Sequence, residues 1–104
     1  MPKTVSLSYG SAAILHAVAS GRAFGFDVMT ATGLTSGTVY PALDRLERAG
    51  YLRSKWESED AAHAEGRPAR RYFTLTAHGA AALRAVLEKY QALRPLPGFS
   101  REEA

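Results

Sequence analysis

At Gly50 the hydrophobic pattern changes period. Before it, Val39, Leu43 and Leu46 recur at steps of four and three, as on one face of a helix. After it, Leu52, Ser54 and Trp56 alternate with Arg53, Lys55 and Glu57, as in a half-buried strand. Gly50 stands where a left-handed residue is wanted to end a helix. The chain must therefore pass from helix to strand with almost no connection, and both elements must face one core.

The same reading extends in both directions. Toward the N-terminus a helix is expected over about residues 7–20, with Leu7, Ile14, Leu15 and Val18 near one face and Gly21 as its stop. A short helix over about residues 26–32 follows; Gly33 breaks it and Leu34 sits in the turn. Thr35 or Ser36 can cap the helix that ends at Gly50. Pro41 lies inside that helix and implies a kink just after the first turn, because proline removes a backbone donor and crowds the preceding turn. Past the first strand, residues 59–68 contain Glu, Asp, His, Gly and Pro and read as an exposed hairpin tip. A second strand is expected over about residues 70–75, with Phe73 and Leu75 inward. Thr76 caps a last helix over about residues 77–94, where Leu83, Leu87, Tyr90 and Arg94 lie at helical spacing; Pro95 and Pro97 stop it, and the acidic end is expected to fray.

Composition narrows the function classes. A chain of 104 residues has room for one domain. A domain of this size buries roughly 60–70% of its unfolded surface, so a partner surface such as a second copy would help it. There is no cysteine, which excludes disulfides and thiolate metal sites and suits a reducing cytoplasm. No apolar run approaches the roughly 18 residues of a membrane helix, and the N-terminal residues do not form a signal-peptide core, so no membrane partner is expected. His16, His63 and His78 share no metal-ligand spacing, and neither a nucleophile elbow nor a phosphate loop is present. Glu57, Glu59, Asp60 and Glu65 make a carboxylate-rich stretch, but nothing in a solvated tip shields the charges or shifts their pKa values. The chain reads as a non-enzyme with no cofactor.

Two features carry a positive reading. The first is the stretch from Asp27 to Leu46: a short helix, a compact Gly-Leu-Thr turn and a longer helix that can stand out and enter a major groove. With Val39, Leu43 and Leu46 turned to the core, Ser36, Gly37, Thr38, Tyr40, Asp44 and Arg45 are left for the outer faces. Hydroxyls at a helix start suit phosphate oxygens; they also cap helices for purely local reasons. The second feature is the hairpin that follows at once. Net charge is only +3 with a pI near 9.5, but residues 66–71 hold three arginines and no acid. A hairpin tip beside a groove-entering helix can lay an arginine along the DNA backbone or minor groove. Read alone it is solvated surface; behind a helix-turn-helix it points to DNA. The fold class expected is mainly α with a two-stranded β-wing, a winged helix-turn-helix of order α-α-α-β-β-α.

At this level the resemblance to a family becomes clear. The segment Ser36-Gly-Thr-Val-Tyr-Pro-Ala-Leu-Asp-Arg-Leu-Glu-Arg-Ala-Gly-Tyr-Leu52 resembles the signature of the PadR family of transcriptional regulators. Gly66-Arg-Pro-Ala-Arg-Arg-Tyr-Phe-Thr-Leu-Thr76 is similar to that family's wing and second strand, and Gly25-Phe26-Asp27 opens the second helix. The likeness covers about residues 7–92. It implies a DNA-binding unit over residues 1–76 and a dimerisation helix and tail over 77–104, in one compact whole. It also implies a cytoplasmic homodimer that represses a nearby promoter on double-stranded DNA until a ligand or other signal releases it. Carried over by position, Ser36, Thr38, Tyr40 and Arg45 match the recognition helix. Arg67 and Arg70, with Arg71 beside them, match the wing. On the last helix Ala80, Leu83, Leu87 and Tyr90 form a stripe longer than a domain this small needs for its own core, so dimerisation through that stripe is expected. The link around residues 32–35 is shorter than in many members, and a single helix follows the wing, as in the compact subgroup.

The rival reading is a winged helix that binds another protein; it has no need for Arg67, Arg70 and Arg71 together. A small aromatic or hydrophobic effector is a further candidate partner, for which Phe24, Phe26, Trp56, Tyr90 and Phe99 supply aromatic surface. Trp56, on its strand, reads first as packing at the base of the wing.

Overall fold

The computed structural model describes residues 7–93. Several helix ends are set by local contacts. Helix α1 (Tyr9–Ala19) is capped by Ser8, whose hydroxyl accepts from the Ser11 amide at 3.1 Å. Helix α2 (Gly25–Thr32) ends on Gly33 in the left-handed conformation. Helix α3 (Ser36–Arg48) is unbroken through Pro41 and closes at Gly50, also left-handed, with the Tyr51 amide donating back to the Leu46 carbonyl at 3.0 Å. Strand β1 (Leu52–Trp56) begins two residues later, which is the abrupt passage the change of period requires.

β1 pairs antiparallel with β2 (Arg71–Leu75) in a register running from Leu52 opposite Leu75 to Trp56 opposite Arg71. On its other edge β2 meets the segment between α1 and α2: the Phe73 amide donates to the Ala23 carbonyl at 2.7 Å, and Phe24 bridges Tyr72. Helix α5 (Ala77–Leu93) follows at once. Thr76 fixes its start, accepting from the Gly79 amide at 2.9 Å and donating to the Gly50 carbonyl at 2.7 Å. Gly79 lies so near the turn after α3 that a Cβ there would stand 2.1 Å from the Tyr51 carbonyl oxygen, so only glycine lets α5 approach. Arg94, Pro95 and Pro97 lie outside the described residues.

One core joins these pieces. Ile14, Leu15 and Val18 of α1, Val28 of α2, Val39, Leu43 and Leu46 of α3, Leu52 and Phe73 of the strands and Leu83 of α5 are all buried against one another. The mainly helical fold with a two-stranded wing is the expected winged helix-turn-helix.

Two expectations need correcting. The segment between the strands is not a bare tip: residues Glu59–Ala64 form a short helix, α4. Ser58 caps it, accepting from the Ala61 amide at 3.1 Å; Glu59 and Asp60 sit at its positive end, and three alanines favour the helix. Ala62, only 1% exposed, tucks it inward. Trp56 does not pack at the base of the wing. It lies at the far end of β1 and is 62% exposed.

Candidate nucleic-acid interface

A helix turns 100° per residue, so the buried Val39, Ala42, Leu43 and Leu46 dictate which side of α3 looks outward. Opposite them lie Gly37, Pro41, Asp44 and Arg48, all exposed. This placement explains why Pro41 is tolerated. The bond it cannot donate leaves the Gly37 carbonyl open, and that carbonyl is on the solvent side.

Ser36 and Thr38 are exposed in the first turn, where Thr35 occupies the cap position without a side-chain bond to the backbone. Tyr40 and Arg45 flank the outward stripe on opposite sides. Arg45 leans toward α1, its Nη2 3.4 Å from the buried hydroxyl of Ser11. Tyr40 leans toward α2 and the hairpin. Arg48, one turn beyond Asp44 on the outward stripe, is the residue the sequence reading missed; the spacing count that found the core would have found it.

Between α2, α3 and the hairpin lies a crevice of about 470 Å³ lined by Phe24, Phe26, Tyr40, Trp56 and the Pro68–Arg71 segment. Phe26, Tyr40 and Trp56 are 66%, 48% and 62% exposed. Of the aromatics considered for an effector, the structure brings Phe24, Phe26 and Trp56 together here. Tyr90 is elsewhere, edge-on to Tyr9 at 5.9 Å, and Phe99 lies outside the described residues.

The three wing arginines have three different settings. Arg67 does not project from a tip. Its Nη1 and Nη2 grip both oxygens of Glu57 at 2.6 and 2.8 Å, and Nη2 also lies 3.1 Å from Glu65. The Glu57 carboxylate accepts the Arg70 amide as well, at 3.2 Å. Held chiefly by Arg67, Glu57 has its pKa lowered from 4.5 to about 2, while that of Arg67 is raised. Arg71 faces inward to α3, bonded to Asp44 at 2.9 Å and to Glu47. Arg70 alone has no carboxylate partner among the described residues; its guanidinium rests over the Phe24 ring at 4.1 Å. The run of arginines that looks single-signed in sequence is thus largely neutralised by acids from elsewhere in the chain. Beyond it, the exposed Glu59 and Asp60 make the start of α4 acidic.

The expected dimer stripe divides. Leu83 belongs to the core of the single chain. Leu87 is exposed and, with Tyr90 and with Tyr9, Ala13 and His16 of α1, lines a shallow groove of about 540 Å³ between α5 and α1.

The family profile described as transcriptional regulator PadR-like matches residues 14–85, well over half of the chain. The chain belongs to the PadR-like family. As a PadR-like protein it is a DNA-binding transcription regulator and not an enzyme, and the rival reading of a protein-binding module falls away. Solved structures of similar fold include a PadR family transcription regulator from hypervirulent Clostridium difficile R20291, with TM-score 0.72 at 21% identity over 83% of this chain and 91% of that one. The protein smu.1704 from Streptococcus mutans UA159 gives TM-score 0.69 at 25% identity, covering 88% of this chain and 85% of its own. BpsR of Bordetella bronchiseptica, whose DNA binding is regulated by 6-hydroxynicotinic acid, gives 0.77 at 21% identity, covering 94% and 67%. No curated protein matches the chain. Among the described residues of this PadR-like chain no helix is long and apolar enough to cross a membrane.

Proposed function

We propose that this PadR-like regulator is a homodimeric repressor that binds an inverted-repeat operator and is released by a small aromatic or hydrophobic effector. The observation that carries the reading is the uncovered first turn and outer stripe of α3, standing beside a hairpin whose Arg70 has no acidic partner among the described residues. In this reading Ser36 and Thr38 bond phosphates at the start of α3, and Tyr40, Arg45 and Arg48 lie nearer the base edges. Arg70 meets the DNA backbone from the wing. The helix α5 supplies the dimer contact, supported by the exposed Leu87 beside the exposed Tyr9 of α1. The aromatic crevice behind Tyr40 supports an effector, since its volume lies within the roughly 300–1,000 Å³ usual for small-molecule sites. BpsR, a neighbour in fold, responds to a small molecule.

The test is footprinting of the purified chain on the promoter region upstream of its own coding sequence. A two-fold dimer should protect an inverted repeat with half-sites about 34–36 Å apart, one helical turn, so that both α3 helices meet one face of the DNA. A single asymmetric half-site would overturn the dimer. A reporter that falls silent when the chain is deleted would overturn repression.

A further inference from the structure

We propose that Arg71 is a positioning residue and not a DNA contact: it ties the wing to the recognition helix and neutralises the two carboxylates that this helix turns toward the wing. The inference rests on the DNA-binding reading above for its consequence, though not for its geometry. Arg71 lies opposite Trp56 at the far end of the strand pairing, where Trp56 is 62% exposed. Its guanidinium is engaged in three directions. Nε donates to the Ser54 hydroxyl on β1 at 3.1 Å, Nη1 to Asp44 on α3 at 2.9 Å, and Nη2 to Glu47 on α3. Ser54 in turn donates to the other oxygen of Glu47 at 2.8 Å. The plane of the group also lies near the buried Phe73 ring, 5.0 Å from its centre. One side chain thus joins both strands of the wing to two successive turns of the recognition helix.

The electrostatics follow from the same contacts. Asp44 is on the outward stripe of α3, and Glu47 is half-buried beside it. Phosphates would be repelled by both if they stood alone, and Arg71 cancels much of that field at close range. To reach a phosphate itself, Arg71 would have to leave three hydrogen bonds and expose both carboxylates to the DNA. Arg70, one residue earlier, has no such commitment among the described residues. The fork geometry matters, because a lysine ammonium at this position presents no planar array that meets Ser54, Asp44 and Glu47 together.

The experiment uses the full chain with Arg71→Ala, Arg71→Lys and the isosteric Glu47→Gln, which keeps the test open should Arg71→Ala fold poorly. Amide exchange of β1 and β2 is measured first, without DNA. Both Arg71→Ala and Glu47→Gln should speed exchange of the hairpin amides by roughly tenfold or more, the effect of losing one hydrogen bond to a charged group. Arg71→Lys should not restore protection. Unchanged exchange in Glu47→Gln overturns the proposal, whatever DNA does. Binding to the promoter fragment and to a random duplex of equal length is then followed across a salt series. Arg71→Ala should weaken binding by one common factor with an unchanged salt slope. A slope that falls by about 0.9 marks a lost phosphate contact and overturns the proposal. If wild type binds neither duplex, the DNA reading fails while the exchange result still decides the tie between wing and helix.

Discussion

The ring of Tyr40 lies directly on the Cα of Gly25. A Cβ built at Gly25 would stand 2.3 Å from Cε1 of that ring and 2.7 Å from its hydroxyl oxygen. Gly25 therefore sets how Tyr40, half-exposed at the edge of the recognition helix, can lie. Alanine at position 25 would force the ring outward, away from α2. Because the clashing atoms are the outer end of a half-exposed ring that can swing away, Gly25→Ala is expected to cost about 1 kcal/mol, the low end of the overpacking range. In a Tyr40→Ala background the same change should be neutral or mildly stabilising, since alanine is the better helix former. Urea unfolding of the two single variants and the double variant measures the coupling. Additive effects would mean that Tyr40 already leaves Gly25 in solution.

The Glu57–Arg67 pair makes stability depend on acid. Glu57 titrates at about 2 in the folded chain against 4.5 ordinarily, so its contribution is full above about pH 4.5 and is lost as pH falls toward 2. Glu57→Gln should lower the urea midpoint at pH 7 and flatten the fall between pH 4.5 and 2 relative to wild type. Parallel profiles for the two proteins would show that the pair contributes nothing to folding.

Leu87→Glu should give a folded monomer. Leu87 contributes nothing to the buried core of the single chain, whereas Leu83 does. A charge at position 87 therefore leaves the fold intact while burying a carboxylate in the proposed dimer contact, which is strongly unfavourable. Sedimentation of both proteins at micromolar concentration decides the matter. A wild type that is already monomeric would refute the dimer.

Arg70 and Arg67 should separate in a salt series. Arg70→Ala should lower the slope of log K against log salt by about 0.9 on any duplex, as one lost phosphate contact does. Arg67→Ala should leave the slope in place, because its charge is spent on Glu57 and Glu65. The same slope change for both would place Arg67 on the DNA after all.

Much of this fold could be read from spacing. The change of period at Gly50, the stops at Gly33 and Gly50 and the cap at Thr76 are local events, decided by a few neighbouring residues, and the structure follows them. The signal for α4 is local too: Ser58 as cap, acids in the first turn and three alanines. It competes with the charges there, which favour solvent, and with Gly66 and Pro68, which favour a turn. The settings of Arg67 and Arg71 could not be read locally. Glu57 is ten residues from Arg67, and Asp44 is 27 from Arg71, brought there only by hairpin pairing and by the packing of β1 along α3. Arg48 is within reach of the same helical count, one turn past Asp44 on the outward stripe.

The neck of the wing has a consequence for how such a protein can change. Glu57 and Arg70 are joined at the backbone, amide to carbonyl at 2.8 Å, and Glu57 is gripped again by Arg67. Whatever lies between is an excursion with its two ends already pinned. Doubling the length of a flexible loop adds only about 0.6 kcal/mol to its closure. Away from the buried Ala62 and the Glu57–Arg67 grip, insertions, deletions and reversals of charge on the exposed part of this excursion should therefore accumulate over generations without shifting the strands or the recognition helix. It is the stretch where related regulators can diverge in length and sign, and where a lineage could acquire a new surface while keeping its operator.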